Sequence, residues 1–208
     1  MRLTQYITES KEQDISKFIK NVKKDCKPWL SAIKNCTNKV IYRGYSGKQI
    51  DKKNVRINRK PKDMPPELHK ELDSIFYERF GWKPRSEGLF VSPHIHVGAI
   101  YGNSGGICFP TGKFKFVWNP DVHDLFAMIQ IHNDGTSTVG DHILEGYRDK
   151  DICRALSTMT EIMIKCKSYH IIDYSYLTSF EKNTRDSEWT KGLLIKEIIK
   201  EWIDRSFF

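Results

Sequence analysis

The stretch EIMIKCKSYHIIDY, residues 161–174, decides the fold class because it contains two short β-rich runs. Glu161 to Cys166 and Tyr169 to Tyr174 are rich in isoleucine and tyrosine, which favour strands, and Lys167-Ser168 joins them. Further strands are predicted at Val40-Ile41-Tyr42, Leu89-Phe90-Val91, Ile107-Cys108-Phe109 and Phe114 to Trp118. With the helices described next, these runs predict an α+β fold.

Helical spacing of apolar residues marks the remaining elements. Two helices are predicted within residues 12–35, separated at Pro28, and another from Pro65 to a left-handed terminator at Gly81. Other helices are predicted from Pro120, near residues 97–101, near residues 151–156 and around residues 193–202. The basic segment from Ser46 to Pro66 is predicted to be an exposed connection, and residues 132–150 a long polar loop.

Length and composition limit the domain organisation. The chain has 208 residues, of which 39% are hydrophobic and 29% charged, so it can bury one ordinary core. We divide it into an N-terminal basic helical segment, residues 1–37, and one domain, residues 38–208. Its uncharged apolar stretches are far shorter than the roughly 20 residues of a membrane span, so a soluble protein is expected.

The basic residues are concentrated in the first third of the chain. Residues 1–62 contain 17 Lys and Arg against 5 Asp and Glu, whereas residues 63–208 contain 17 against 21. Such an asymmetry is typical of surfaces that bind nucleic acid or acidic partners, and also of lysine-rich helices whose charged face is simply solvated. Both interpretations stay open.

The five cysteines, at positions 26, 36, 108, 153 and 166, are odd in number and widely spaced. No C-x-x-C pair and no secretory signal accompany them, which predicts reduced thiols in a cytoplasm-like compartment. His94 and His96 have no cysteine or carboxylate near them in sequence, so no metal site is predicted.

Three fragments that are far apart in the sequence fit one catalytic pattern. Tyr42-Arg43-Gly44 ends an early strand, Leu89-Phe90-Val91-Ser92 lies on a middle strand, and Glu161 opens a late strand. In this order they resemble the mono-ADP-ribosyltransferase family of the Arg-Ser-Glu class. The resemblance covers roughly residues 38–175, and it implies a core of split β-sheets with peripheral helices.

The resemblance also implies NAD as co-substrate and a role for each matching residue. Cleavage of the bond between nicotinamide and ribose passes through a cation-like state, which a nearby carboxylate stabilises. Glu161 would be that carboxylate, and Ser92 would hold it in position. Arg43 and Gly44 would bind phosphate or ribose oxygens and the nicotinamide, whose ring would pack near Phe90.

The residue two positions before the glutamate bears on the acceptor of ADP-ribose. Family members that modify arginine carry Glu or Gln there, and this chain carries Met159. Because a thioether cannot accept a guanidinium proton, the acceptor is expected to be another side chain or a nucleobase. The residues that could activate such an acceptor are His94, His142 and Glu145.

Two basic segments near the pattern have separate interpretations. Arg59 lies in the loop that follows Arg43 and is a candidate ligand of the phosphates, although a solvated loop is the alternative. Arg85-Ser86-Glu87 spells the letters of the class contiguously, and three adjacent residues cannot fill three separated roles. We therefore interpret that match as a coincidence.

The first ten residues are short and amphipathic, and they contain Ile7-x-Glu9. They look like the leaders of internal head proteins of large tailed phages, which are cut after Leu/Ile-x-Glu. The expected function is therefore ADP-ribosylation of a host macromolecule in the host cytoplasm by a phage protein packaged in the virion. The alternatives are a nucleic-acid-binding protein and a virion structural protein that keeps the fold without catalysis.

Overall fold

The computed structural model describes residues 3–61, 64–96, 104–132 and 144–178, which form an α+β fold with two antiparallel sheets. The four-stranded sheet has the order β1 (Tyr42–Tyr45), β4 (Ser104–Pro110), β7 (Ser168–Asp173) and β2 (Ile50–Asn54). The three-stranded sheet has the order β3 (Leu89–Val91), β6 (Ile162–Lys165) and β5 (Lys115–Trp118). The stretch 161–174 thus supplies the central strand of one sheet and an inner strand of the other.

The helices flank these sheets. Their bounds are α1 (Leu3–Asp25), α2 (Lys27–Ile33), α3 (Pro66–Phe80), α4 (Pro84–Glu87), α5 (Leu125–His132), α6 (Ile152–Ala155) and α7 (Tyr174–Thr178). Gly81 ends α3 with φ of 71°, which confirms the predicted left-handed terminator. Among the described helices, none combines the length and apolar character that crossing a membrane requires.

Several predicted boundaries differ from the observed ones. The segment predicted to be an exposed connection contains β2, an edge strand that pairs only with β7 in its sheet. Its lysines interrupt the apolar pattern by which a strand is predicted from sequence. The helix predicted from Pro120 begins at Leu125, after a turn in which Asp121 N donates to Asn119 Oδ1 over 3.0 Å. The helices predicted near 97–101 and 193–202, and residues 133–143 of the long loop, lie outside the described residues.

The N-terminal helices pack into the same hydrophobic cluster as both sheets. Phe18, Val22, Trp29 and Ile33 are buried there together with Ile107 and Ile162. Asp25, at the end of α1, contacts two strands: its carboxylate lies 2.8 Å from Lys52 Nζ of β2 and 2.8 Å from His170 Nε2 of β7. A second cluster, which includes Leu72, Phe76 and Trp82, lies between α3 and the three-stranded sheet.

The prediction that all five cysteines are reduced thiols is wrong. Cys36, just after α2, and Cys153, in α6, form a disulfide across a sequence separation of 117 residues. The two helices lie side by side in the fold, and a contact over that separation leaves no local spacing pattern in the sequence. Cys26, Cys108 and Cys166 are free and buried.

Candidate active site

The two sheets meet where β1 passes the end of β3. Tyr42 N donates to Ser92 O over 2.7 Å, and Ser92 N donates to Tyr42 O over 2.9 Å. These bonds hold Arg43 of one sheet beside the last residues of β3 in the other. Arg43 Nη1 donates to Phe90 O over 2.9 Å, so the guanidinium spans the junction. Gly44 follows within β1, opposite Gly105.

The strand register brings Ser92 and Glu161 to the same end of the three-stranded sheet. Val91 pairs with Ile162 in the antiparallel ladder of β3 and β6, and Ser92 and Glu161 are the next residues beyond that pair. Ser92 is 2% exposed, and its hydroxyl accepts a hydrogen bond from His94 N over 3.2 Å. The Ser92 hydroxyl therefore stabilises the turn after β3, at the position opposite Glu161 in the strand register.

Glu161 is a largely buried carboxylic acid. Its side chain is 15% exposed, and Oε1 accepts no hydrogen bond within the described part of the chain. Burial raises the pKa of Glu161 to about 7, and Asp124 adds to this rise. The guanidinium of Arg85 opposes the rise most strongly, followed by Arg59 and Arg43. The protonated and ionised forms of this group are therefore close in free energy at neutral pH.

Arg85 belongs to the site although the sequence interpretation set it aside. Its Nη1 lies 3.7 Å from Glu161 Oε1, and its guanidinium carbon lies 5.0 Å from the centre of the Phe90 ring. The letters of Arg85-Ser86-Glu87 remain irrelevant to the family pattern. The position of Arg85 comes from α4, which packs beside β6, and no sequence spacing signals that contact.

Arg59 also reaches the site, from the loop after β2. Its guanidinium carbon lies 4.3 Å from the centre of the Phe90 ring, and its backbone N donates to Ser86 O over 3.2 Å. Phe90 was expected to pack near a nicotinamide ring. In this structure its ring contacts the guanidinium groups of Arg59 and Arg85, and its carbonyl receives Arg43.

We refer to these residues as the arginine–glutamate cluster, which consists of Arg43, Arg59, Arg85, Phe90 and Glu161. Among the residues that the structure describes, three guanidinium groups act on Glu161, and Asp124 is the carboxylate that acts on it. Even with both carboxylates ionised, the positive charges of these groups outnumber the negative ones. An arrangement of this kind favours an anionic ligand, since arginine forks bind phosphate oxygens well.

Met159 and the residues that could activate an acceptor do not form one group in the structure. Met159 is 53% exposed, and its carbonyl is 3.3 Å from His123 Nδ1, a histidine that the sequence interpretation did not single out. Glu145 is exposed, and its backbone carbonyl accepts a hydrogen bond from Arg79 Nη2 over 2.7 Å. His94 lies two residues after Ser92, beyond Pro93, and His142 lies outside the described residues.

The site thus combines the buried, ionisable carboxylate of Glu161, Ser92 at the opposite position in the strand register, and more guanidinium groups than carboxylates. Such a combination can bind a phosphorylated ligand and stabilise positive charge that develops beside the carboxylate. Comparison of the chain with models of protein families, with curated proteins and with solved structures found no match in any of the three.

Proposed function

We propose that the protein is an NAD-dependent mono-ADP-ribosyltransferase that modifies a host macromolecule. The observation that supports this most is the meeting of Arg43, Ser92 and Glu161 at the junction of the two sheets. These residues lie 49 and 69 positions apart in the sequence, which predicts them as members of one catalytic pattern. The two antiparallel sheets with helices around them agree with a split-sheet core of the ADP-ribosyltransferase type.

The chemistry of the reaction fits the charges of the cluster. The bond between the ribose carbon and the nicotinamide nitrogen breaks, nicotinamide leaves with the electron pair, and a nucleophile of the acceptor bonds to the ribose carbon and loses its proton. In its ionised form, Glu161 stabilises the positive charge that develops on the ribose. Arg43 and Arg59 supply the guanidinium groups for the diphosphate of NAD.

The acceptor in this proposal is a side chain other than arginine, or a nucleobase. Met159 stands two residues before Glu161, is exposed, and has no group that can take a proton from a guanidinium. The proposed place of action is the host cytoplasm, after delivery in a virion.

The direct test is transfer of label from NAD. The protein is incubated with NAD labelled in the adenylate phosphate and with lysates of candidate hosts, and labelled proteins and nucleic acids are separated and identified by mass spectrometry. We expect Glu161→Gln to abolish labelling. Glu71→Gln is the matched control, because Glu71 is exposed on α3 and is not part of the cluster. Equal labelling by wild type and Glu161→Gln would refute the role of Glu161.

Release of free nicotinamide in the same reactions separates transfer from hydrolysis of NAD. Nicotinamide release without labelled macromolecules would identify an NAD hydrolase and overturn the transferase proposal. Calorimetry with NAD gives an independent measurement. Absence of both heat and thermal stabilisation would favour a structural protein that lacks the co-substrate.

The second candidate function, nucleic-acid binding, is favoured by one specific surface. Lys20, Lys23 and Lys24 are exposed on the last turns of α1, and Asp25 connects this end of the helix to Lys52 of β2. If this surface binds nucleic acid, retention on DNA or RNA should weaken steeply with added salt, because condensed cations are released on binding. Absence of retention at low salt would reject this function.

A further inference from the structure

We infer that Arg85 is a positioning residue for Glu161, whose carboxylate it holds in place through a buried ion pair. The effect on Glu161 is a property of the folded chain alone. Its consequence for catalysis rests on the function proposed above.

The geometry of the pair carries this inference. Arg85 Nη1 and Glu161 Oε1 are 3.7 Å apart, and their side chains are only 14% and 15% exposed. Water screens so buried a pair poorly, so the attraction is much stronger than between exposed charges at the same distance. The guanidinium also packs on the Phe90 ring, which limits its freedom to turn away from Glu161.

The helix that carries Arg85 is held by buried polar groups. Asp73 Oδ1 accepts a hydrogen bond from Arg85 N over 2.9 Å, and Asp73 Oδ2 accepts one from Ser86 Oγ. His69 Nε2 lies 3.0 Å from the same hydroxyl. Asp73 and His69 are 3% and 6% exposed. Because buried polar groups need partners, their contacts with Arg85 N and the Ser86 hydroxyl hold α4 in position. Lys165 of β6 holds the other end of α4 through Glu87.

Other charged and titratable groups face Glu161 from neighbouring elements. They are Arg43 of β1, Arg59 of the loop after β2, Asp124 just before α5, and Tyr147. Arg85 has the largest influence of these groups on the charge of Glu161. Removal of Arg85 is therefore expected to change the titration of Glu161 more than removal of Arg43 or Arg59.

The experiment measures the titration of Glu161 directly in the full chain without NAD. Glutamate side-chain carboxyl carbons are labelled with carbon-13 and followed by NMR against pH, and the Glu161 signal is assigned by its loss in Glu161→Gln. In Arg85→Gln, the midpoint should move upward by about one pH unit or more, as expected when an opposite charge within roughly 4–6 Å is lost. In Glu71→Gln, which removes an exposed carboxylate of α3, the Glu161 midpoint should stay where it is in wild type.

A second variant keeps the test decisive if Arg85→Gln does not fold. Asp73→Ala keeps the Arg85 side chain but removes both oxygens that accept hydrogen bonds from α4, and loss of the Asp73 charge alone would move the Glu161 midpoint downward. An upward movement therefore supports positioning, and no movement or a downward one contradicts it. An unchanged Glu161 midpoint in folded Arg85→Gln would overturn the inference.

The activity assay separates this inference from the proposed function. If NAD is cleaved, the acid limb of the kcat profile should move upward in Arg85→Gln together with the NMR midpoint. Movement of the midpoint in a protein that cleaves no NAD would support the role of Arg85 and count against the enzyme. If the protein cleaves NAD but the Glu161 midpoint does not move in Arg85→Gln, the result would support the enzyme and count against the role of Arg85.

Discussion

Replacing Glu161 with glutamine is expected to remove a large part of the pH dependence of the protein's stability. Burial raises the pKa of Glu161 from 4.5 to about 7 on folding, so the folded chain binds this proton more tightly than the unfolded chain. The stabilisation from this group is fully present below pH 4.5 and is lost as the pH rises through 7. At about 1.4 kcal/mol per pH unit, the loss by pH 8 is about 3 kcal/mol. Glutamine cannot titrate and lacks this dependence.

Urea unfolding between pH 4 and pH 8 measures this difference. The free energy of unfolding of wild type, minus that of Glu161→Gln, should fall by about 3 kcal/mol over this range. In thermal melts this corresponds to about 6–12 °C for a chain of this size. Burial lowers the pKa of His69, but this contribution is common to both proteins and cancels. Parallel pH dependences of wild type and Glu161→Gln would refute the reasoning, and Glu71→Gln, at an exposed position of α3, controls for the loss of one negative charge.

Three further predictions concern the core and the cysteines. Gly106→Ala should destabilise the protein by about 1–3 kcal/mol in urea unfolding, because the new Cβ would lie 2.5 Å from Ile171 Cδ1, and adding Ile171→Val should recover part of the loss. Reduction of the Cys36–Cys153 disulfide should lower the free energy of unfolding by about 2–5 kcal/mol, and melts that are the same with and without a reducing agent would contradict this. Thiol reagents should not label the native protein, because burial raises the pKa of each free cysteine to about 12.

The sequence predicts those parts of the fold that depend on local patterns. The strands within residues 161–174 and the helix that ends at Gly81 follow from β-rich composition, periodic apolar residues and a glycine terminator, and the structure has them nearly as predicted. Strand β2 could not be predicted in the same way. Its sequence, IDKKN, is mostly polar because it forms an edge of the sheet, where only one neighbouring strand pairs with it.

The same distinction between local patterns and long-range contacts applies to the candidate site. Arg43, Ser92 and Glu161 each adjoin a predicted strand, so the sequence alone is enough to single them out as candidates. Arg85 lies on a helix of four residues that stands beside Glu161 only because the fold packs α4 against β6. Local sequence carries no record of such a contact, and the same is true of the disulfide between Cys36 and Cys153.

Phe90 links the three arginines of the site, since its ring contacts Arg59 and Arg85 and its carbonyl binds Arg43. Substitutions at Phe90 and at either stacked arginine should therefore be non-additive in double-mutant cycles, because each removes an interaction that the other requires. Loss of activity in a Phe90 variant would report displacement of these cationic groups as well as any lost contact with a nicotinamide ring. A Phe90→Leu variant alone would therefore not distinguish displacement of the arginines from a lost contact with the proposed co-substrate NAD, whereas the coupling energies with Arg59 and Arg85 would separate the two effects.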